Sequence, residues 1–252
     1  MSTKGDAVPR EPRGDEGGVI GRQVEELIES MSVSGVNVRP DATARLTRLA
    51  GLIEHWNRAV NLVSRKDTGR LVSYHFFDSA SLLPLLRPSR EISVLDVGGS
   101  NGLPGLVLSA LTPGMHVLVR DGRSKRASFL DEACRDAVPG NRFEIGRVDE
   151  DGFRAQYRES FDLIVARAVT KLKLLLRWCM PLVKPGGSIA AYKGSRCTSE
   201  ISAARKYFFA NGGRLLASVD SPLKEHYNPL RKFALAVVGE REGVGIWARS
   251  SQ

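Results

Sequence analysis

The chain has 252 residues, 42% hydrophobic and 26% charged, which supplies a sizeable core and excludes wholesale disorder. Its 37 Lys and Arg against 28 Asp and Glu leave a formal charge of +9, which favours a polyanionic partner over an acidic protein. Three cysteines (Cys134, Cys179 and Cys197), none spaced as CxxC, make neither a disulfide framework nor a zinc or iron–sulfur site, as expected in a reducing cytoplasm.

The first residues, MSTKGDAVPREPRGDEGG, lack the apolar segment of a secretory signal. They are rich in Gly, Pro and both charge signs, so residues 1–18 are expected to be a flexible tail. No apolar run approaches the roughly 18 residues of a membrane span, so no membrane contact is expected. A helical subdomain is expected over 19–90. It begins with a short helix over 19–33. Pro40-Asp41 then reads as a helix start, with Asp41 accepting orphan backbone N–H groups. Leu46, Leu49, Leu52, Ile53, Trp56 and Val60 follow at helical spacing. A further apolar stretch, Leu71 to Leu86, ends near Pro84 and Pro88.

From Ile92 the pattern changes to short β-rich runs alternating with helical stretches: Ile92–Val97, His116–Val119, Arg142–Ile145, Phe161–Ala166 and Ser188–Tyr192. Two more runs, Arg214–Val219 and Phe233–Val238, follow a helix-like segment near 198–211 and predict an antiparallel hairpin at one edge. The expectation is an α/β fold over 91–240, a doubly wound seven-stranded sheet with helices on both faces, followed by a C-terminal tail over 241–252.

The strongest local signal is Ile92-Ser93-Val94-Leu95-Asp96-Val97-Gly98-Gly99-Ser100-Asn101-Gly102-Leu103-Pro104-Gly105, a buried strand running through a glycine turn into a helix. Ligands in such sheets sit where the strand order reverses, at the carboxyl ends of the strands. The GxGxxG dinucleotide fingerprint fails from Gly98, Gly99 and Gly102, and no GK[ST] ends the loop. Asp96 with glycines at 98 and 102 instead looks like the S-adenosylmethionine turn of class I, Rossmann-like methyltransferases. Asp121 ends the second strand, where a carboxylate can accept both hydrogen bonds of a ribose diol. Val148 and Asp149 follow the third strand, an apolar residue beside an acid that suits an adenine ring and its amino group.

Together these segments resemble the glucose-inhibited division protein B group, the small-subunit ribosomal RNA methyltransferase G family. The matching stretches are His55-Trp56-Asn57-Arg58-Ala59-Val60-Asn61-Leu62, His75-Phe76-Phe77-Asp78-Ser79, Leu95-Asp96-Val97-Gly98 with Gly102-Leu103-Pro104-Gly105, Lys125-Arg126 with Phe129-Leu130, Ala166-Arg167-Ala168 and Tyr192-Lys193-Gly194. They cover roughly residues 45–240. The resemblance implies a methyltransferase of guanine N7 in 16S rRNA, with S-adenosylmethionine as cofactor. It places Gly98 and Leu103 on the cofactor turn, Val148 and Asp149 at the adenine, and Arg167 at the mouth of the active site. Its implied partner is 16S rRNA or the assembling small subunit, and the enzyme is expected to be a cytoplasmic monomer.

The family pattern GxGxGLPG carries Gly where this chain has Ser100, and often Pro where it has Asn101. A positive φ at position 100 would cost a serine about 1 kcal/mol or more. That departure leaves a non-catalytic RNA-binding homologue as an alternative, alongside a methyltransferase of another RNA or a small molecule.

Guanine N7 has an exposed lone pair and no proton, so no general base is obligatory. The [DN]PP[YF] signature of exocyclic-amine methylation is missing after the fourth strand, and Asn228-Pro229-Leu230 lies too late in the chain. Cys179 reads as core, and Cys197 has no preceding Pro, which disfavours a C5-methylating thiol. Lys193 remains compatible with a ribose 2′-O base or a phosphate contact. Arg167 can bond guanine O6 or phosphate. Among the basic groups, Arg120, Arg123, Lys125 and Arg126 follow the second strand; Lys224, His226, Arg231 and Lys232 occupy the late hairpin region. Lys125, Arg126 and Lys193 are the expected RNA contacts, with a single-stranded or loop target that can present its base.

Overall fold

The computed structural model describes residues 16–239 except 87, 89 and 224–227. The expected tail over 241–252, residues 1–15 of the expected N-terminal tail, and Lys224 and His226 lie outside the described residues.

Seven strands form one sheet: β1 (Ile92–Val97), β2 (Met115–Asp121), β3 (Arg142–Ile145), β4 (Phe161–Arg167), β5 (Val183–Lys193), β6 (Gly213–Asp220) and β7 (Lys232–Val238). Their order is β3-β2-β1-β4-β5-β7-β6, parallel as far as β5, with β7 and β6 antiparallel. The closing hairpin therefore sits at the expected edge, with β7 inserted between β5 and β6. The buried, nearly continuous apolar runs of β1, β2 and β4 reflect a sheet covered on both faces. Connectivity reverses between β1 and β4, so their carboxyl ends open a crevice beside the glycine turn.

Helices α1 (Glu16–Val33) and α2 (Ala42–Asn57) precede the sheet. A π-helical turn over Leu71–Phe76 leads into α3 (Phe77–Ala80). Beyond β1 come α4 (Gly105–Leu111), α5 (Ala127–Glu132), α6 (Asp151–Gln156), α7 (Leu172–Cys179) and α8 (Cys197–Ala210). Val24, Leu27, Leu46, Leu49, Ile53 and Phe76 share one continuous apolar core with Val94, Leu106, Val107, Val117 and Val165. The early helices thus cover one sheet face. On the other, Leu172, Leu175, Leu176, Ile201 and Phe208 of α7 and α8 pack on Leu95, Ile164 and Ile189.

Three local expectations are corrected. The first helix starts at Glu16, inside the stretch expected to be tail. Asp41 precedes α2 but makes no side-chain cap, because Arg39 Nε and Arg45 Nε take its two oxygens at 2.5 and 2.6 Å. Charge-assisted hydrogen bonds of this kind outcompete neutral amide donors. The fifth strand starts at Val183 rather than Ser188; its pairing jumps from Phe161↔Val183 to Leu163↔Ser188 and leaves Pro185-Gly186-Gly187 in the irregularity. A bulge tolerates the residues that would otherwise break the ladder.

Candidate active site

The carboxyl ends of β1, β2 and β4 surround a cavity of about 940 Å³. Register brings them level, with Val97 opposite Arg120 on one side and Ala166 on the other. Gly98 N–H donates to Arg120 O at 2.8 Å and continues the ladder into the turn. Of the expected cofactor residues, Gly98, Leu103, Asp121, Val148, Asp149 and Arg167 all line the cavity. Asp96 lies beneath it, fully buried, and Gly102 shapes the turn above.

The backbone explains how Ser100 is accommodated. Positive φ falls on Gly98 (+70°) and Gly102 (+73°), both still glycine, and neither Ser100 nor Asn101 is left-handed. The anticipated serine strain is therefore absent, and with it the ground for regarding the turn as degenerate. Asn101 bridges two parts of the chain: Nδ2 donates to Leu62 O at 3.2 Å, and Oδ1 accepts from Leu103 N–H at 3.3 Å.

Asp96 Oδ2 accepts from Gly105 N–H at 2.7 Å, clamping the turn to the start of α4, whereas Oδ1 is buried with no partner among the described residues. Burial pushes the Asp96 carboxyl up to about 7; Asp121 adds to this, against the Gly105 hydrogen bond and the Arg167 charge. With its folded pKa above its ordinary 3.8, this group binds protons better folded than unfolded. Its stabilisation is complete below about pH 4 and is lost as pH rises through about 7. In urea unfolding, the stability of Asp96→Asn relative to wild type should rise from about pH 4.5 and level off above about pH 7. A difference that stays flat with pH would refute the assignment.

Asp121 is buried at the end of β2, and its Oδ1 accepts from Arg123 N–H at 2.8 Å, which fixes the carboxylate at the rim. Arg147 holds Asp149 through both oxygens, at 2.9 and 2.8 Å, and depresses its pKa; the Arg147 guanidinium also lies 5.8 Å from the Trp178 ring centroid. Trp178 and Val148 both line this end of the cavity, an apolar wall that motif reading had only half supplied.

Arg167 extends from the end of β4, followed by Ala168 at φ +57°, an uncommon conformation for a residue with a Cβ. Its Nη1 donates to Asp78 Oδ2 (3.0 Å), Ser79 Oγ (3.3 Å) and His75 O (3.4 Å). All its hydrogen bonds to described residues run through Nη1, so Nε and Nη2 keep donor capacity for a ligand. Arg231 Nε reaches Asp78 Oδ1 at 2.6 Å, and Nη2 reaches Oδ2 at 3.0 Å. The resemblance had drawn attention to Asp78, but nothing in the sequence paired it with Arg231. His75 Nε2 is buried, with no hydrogen-bond partner among the described residues, 3.7 Å from Asp67 Oδ2. Burial, reinforced by Arg167, holds the His75 pKa below its ordinary value, so the ring is neutral at pH 7.

Not every expected group reaches the cavity. Lys193 Nζ is bound to Glu200 Oε2 (2.7 Å) and Thr170 O (2.9 Å) and lies outside the cavity lining, because α8 brings a carboxylate over the end of β5. Lys125 is exposed but also outside the lining. Arg126 lines the cavity and donates to Asn61 O at 2.8 Å. Arg120 is committed internally, to Glu144 and Glu150 over the Phe153 ring. All three cysteines are buried; burial raises Cys134 to about 12 and pushes Cys179 and Cys197 upward too, which suits core packing rather than nucleophilic attack.

The residues fit S-adenosylmethionine. The turn offers a close backbone cradle, with an unpartnered buried carboxylate oxygen beneath it. The rim offers a carboxylate for a diol, and an apolar wall with an adjacent acid suits a purine. At about 940 Å³ the cavity lies at the upper end for small-molecule sites and has room for an acceptor base as well.

Among solved structures, the chain is similar to a predicted O-methyltransferase from Agrobacterium tumefaciens (TM-score 0.51, 17% identity, 65% of this chain and 80% of that one). It is similar also to the CurJ carbon methyltransferase (TM-score 0.52, 15% identity, 87% and 71%). At these identities the likeness shows the class I methyltransferase fold alone. Two relatives named ribosomal RNA small subunit methyltransferase G are closer in sequence. The protein of Brevibacillus brevis is 32% identical over 191 residues, 75% of this chain and 80% of that protein. The protein of Alkaliphilus oremlandii is 33% identical over 184 residues, 72% and 77%. The family model described as rRNA small subunit methyltransferase G matches residues 42–226, which takes in α2, the glycine turn, Arg167 and the ends of all five parallel strands. The chain therefore belongs to the rRNA small subunit methyltransferase G (GidB) family.

Proposed function

We propose that this protein transfers a methyl group from S-adenosylmethionine to N7 of a guanine in 16S rRNA, in the cytoplasm, on free rRNA or the assembling small subunit. The observation that carries this reading is the single cavity that joins the glycine turn to Arg167, so that a donor site and an acceptor-facing guanidinium share one space. Bound there, the cofactor supplies a sulfonium-activated methyl group. Asp121 accepts the ribose hydroxyls, and Val148, Trp178 and Asp149 enclose the adenine. Arg167 Nε and Nη2 donate to guanine O6 and hold the ring so that the adjacent N7 lone pair faces the methyl group.

The acceptor nitrogen carries no proton, so no side chain needs to remove one. All three cysteines are buried and none lines the cavity, which agrees with this. Positioning carries the rate, and well-aligned reactants can gain on the order of 7–11 kcal/mol. Held by Asp78, Arg167 is oriented before substrate arrives, so little entropy is spent ordering it.

The test is to incubate the protein with methyl-labelled S-adenosylmethionine and with free rRNA or small subunits from cells lacking the gene. Label should appear as 7-methylguanosine in 16S rRNA. Label at another atom, or only on small-molecule acceptors, would overturn the reading.

A further inference from the structure

Outside the cavity the structure carries a second concave site, about 430 Å³, lined by Asn57, Arg58, Ala59, Asn61, Ser64 and Arg65 in the loop that follows α2. The loop is held from three sides. Asn57 Oδ1 accepts from Leu62 N–H at 2.7 Å and Val63 N–H at 2.9 Å. Asn101, in the glycine turn, donates to Leu62 O, and Arg126 donates to Asn61 O. The hollow is therefore tied to the cofactor turn, and Arg126 touches both it and the main cavity.

The charges on this frame are one-sided. Arg58, Arg65 and Lys66 are exposed, and none forms an ion pair with a described residue. Across the Asn61–Arg126 bond stand Arg123 and Lys125, also exposed and without an ion pair to a described residue. Arg126 Nη1 is buried and has no hydrogen-bond partner among the described residues; burial and then the neighbouring Arg123 lower its pKa, opposed by Asp121. The nearest carboxylate in the loop, Asp67, is already engaged by Ser64 Oγ, Arg70 and His75. Six cations held close together, none in an ion pair with a described residue, repel one another, and a line of phosphates offsets that repulsion.

We infer that the Asn57–Lys66 loop, continued by Arg123, Lys125 and Arg126, is the track on which the RNA backbone lies as the target base enters the cavity. The ligand class is a run of phosphodiesters on single-stranded or loop RNA. The inference rests on the proposed rRNA substrate and deepens it, since it places the RNA's contact on the helical segment before the sheet.

The test is the variant Arg58→Glu/Arg65→Glu/Lys66→Glu, changed only at exposed positions, with binding to a 16S rRNA fragment measured between 50 and 200 mM salt. Neutralised phosphates contribute about −0.7 each to the slope of log K against log salt on single strands, so three lost contacts should flatten it by about 2. Affinity at low salt should fall at least tenfold, while the affinity for S-adenosylhomocysteine by calorimetry should stay within about twofold. The control Arg142→Glu/Arg158→Glu, at the amino ends of β3 and β4 on the far side of the sheet, should lose little. An unchanged affinity and slope in the triple variant, or an equal loss in the control, would overturn the inference while leaving rRNA methylation by the wild type intact. Failure of the wild type itself to bind or methylate rRNA would instead remove the reading on which it rests.

Discussion

Asp78→Ala is expected to destabilise the protein by about 3–5 kcal/mol, the cost of removing one partner from a buried ion pair, and to abolish methyl transfer. The carboxylate side chain is 2% exposed, and the guanidiniums of Arg167 and Arg231 are 12% and 13% exposed. Removing it leaves two largely buried cations without their shared carboxylate. The aspartate also joins three distant parts of the chain: α3, the end of β4 and the residue preceding β7. For a domain of this size the loss corresponds to a fall in melting temperature of roughly 6–20 °C. Arg231→Ala should cost less stability, since Asp78 keeps Arg167. Below its unfolding temperature, Asp78→Ala should still bind S-adenosylhomocysteine but fail to methylate RNA, because the guanidinium that faces the base loses its charged anchor and keeps only the long, neutral contacts to Ser79 and His75. A variant that melts within 2 °C of wild type and methylates normally would sink this account of the site.

The same triad shows where sequence reasoning stops. The strand-to-turn transition and near-continuous apolar runs made β1, β2 and β4 legible, because each of these strands is buried on both faces and its residue types follow from that burial. The positions of Asp96, Gly98, Gly102, Asp121, Val148 and Asp149 at or just after strand ends were legible, and the topology brings those strand ends to one place. Arg231 was not, since its partner lies 153 residues away and only the insertion of β7 beside β5 brings them together. Lys193 misled for the same reason: Glu200 lies one turn into α8, and nothing in the linear pattern says that the helix folds its carboxylate back over the strand. Asp41 misled locally, because an N-terminal acid reads as a cap whether or not arginines at 39 and 45 claim it first. Asn57 and Asn61 stood in a recognised motif: the Asn57 side chain accepts from Leu62 and Val63 N–H, whereas Asn61 contributes its backbone carbonyl to Arg126.

Gly99→Ala is expected to weaken S-adenosylhomocysteine binding by 10- to 100-fold, although Gly99 is the turn glycine that no fingerprint singled out. Its φ is not left-handed, so no conformational penalty applies, and the obstacle is space. A Cβ there would lie 2.4 Å from Asp96 Oδ2 and 2.5 Å from Asp96 Cγ. That carboxylate cannot swing aside, since it is fully buried and its Oδ2 holds Gly105 N–H. Overpacking of this kind costs about 1–3 kcal/mol, and the turn that must move is the wall of the cofactor site. Ser100→Gly supplies the contrast. It restores the glycine of the family pattern, but position 100 has no positive φ to relieve, so cofactor affinity should change by less than about threefold. Calorimetry on both variants separates the two ideas. If Ser100→Gly tightened binding tenfold while Gly99→Ala bound normally, the strain would lie at the serine after all, and the close approach of Asp96 to the backbone would not be what shapes the turn.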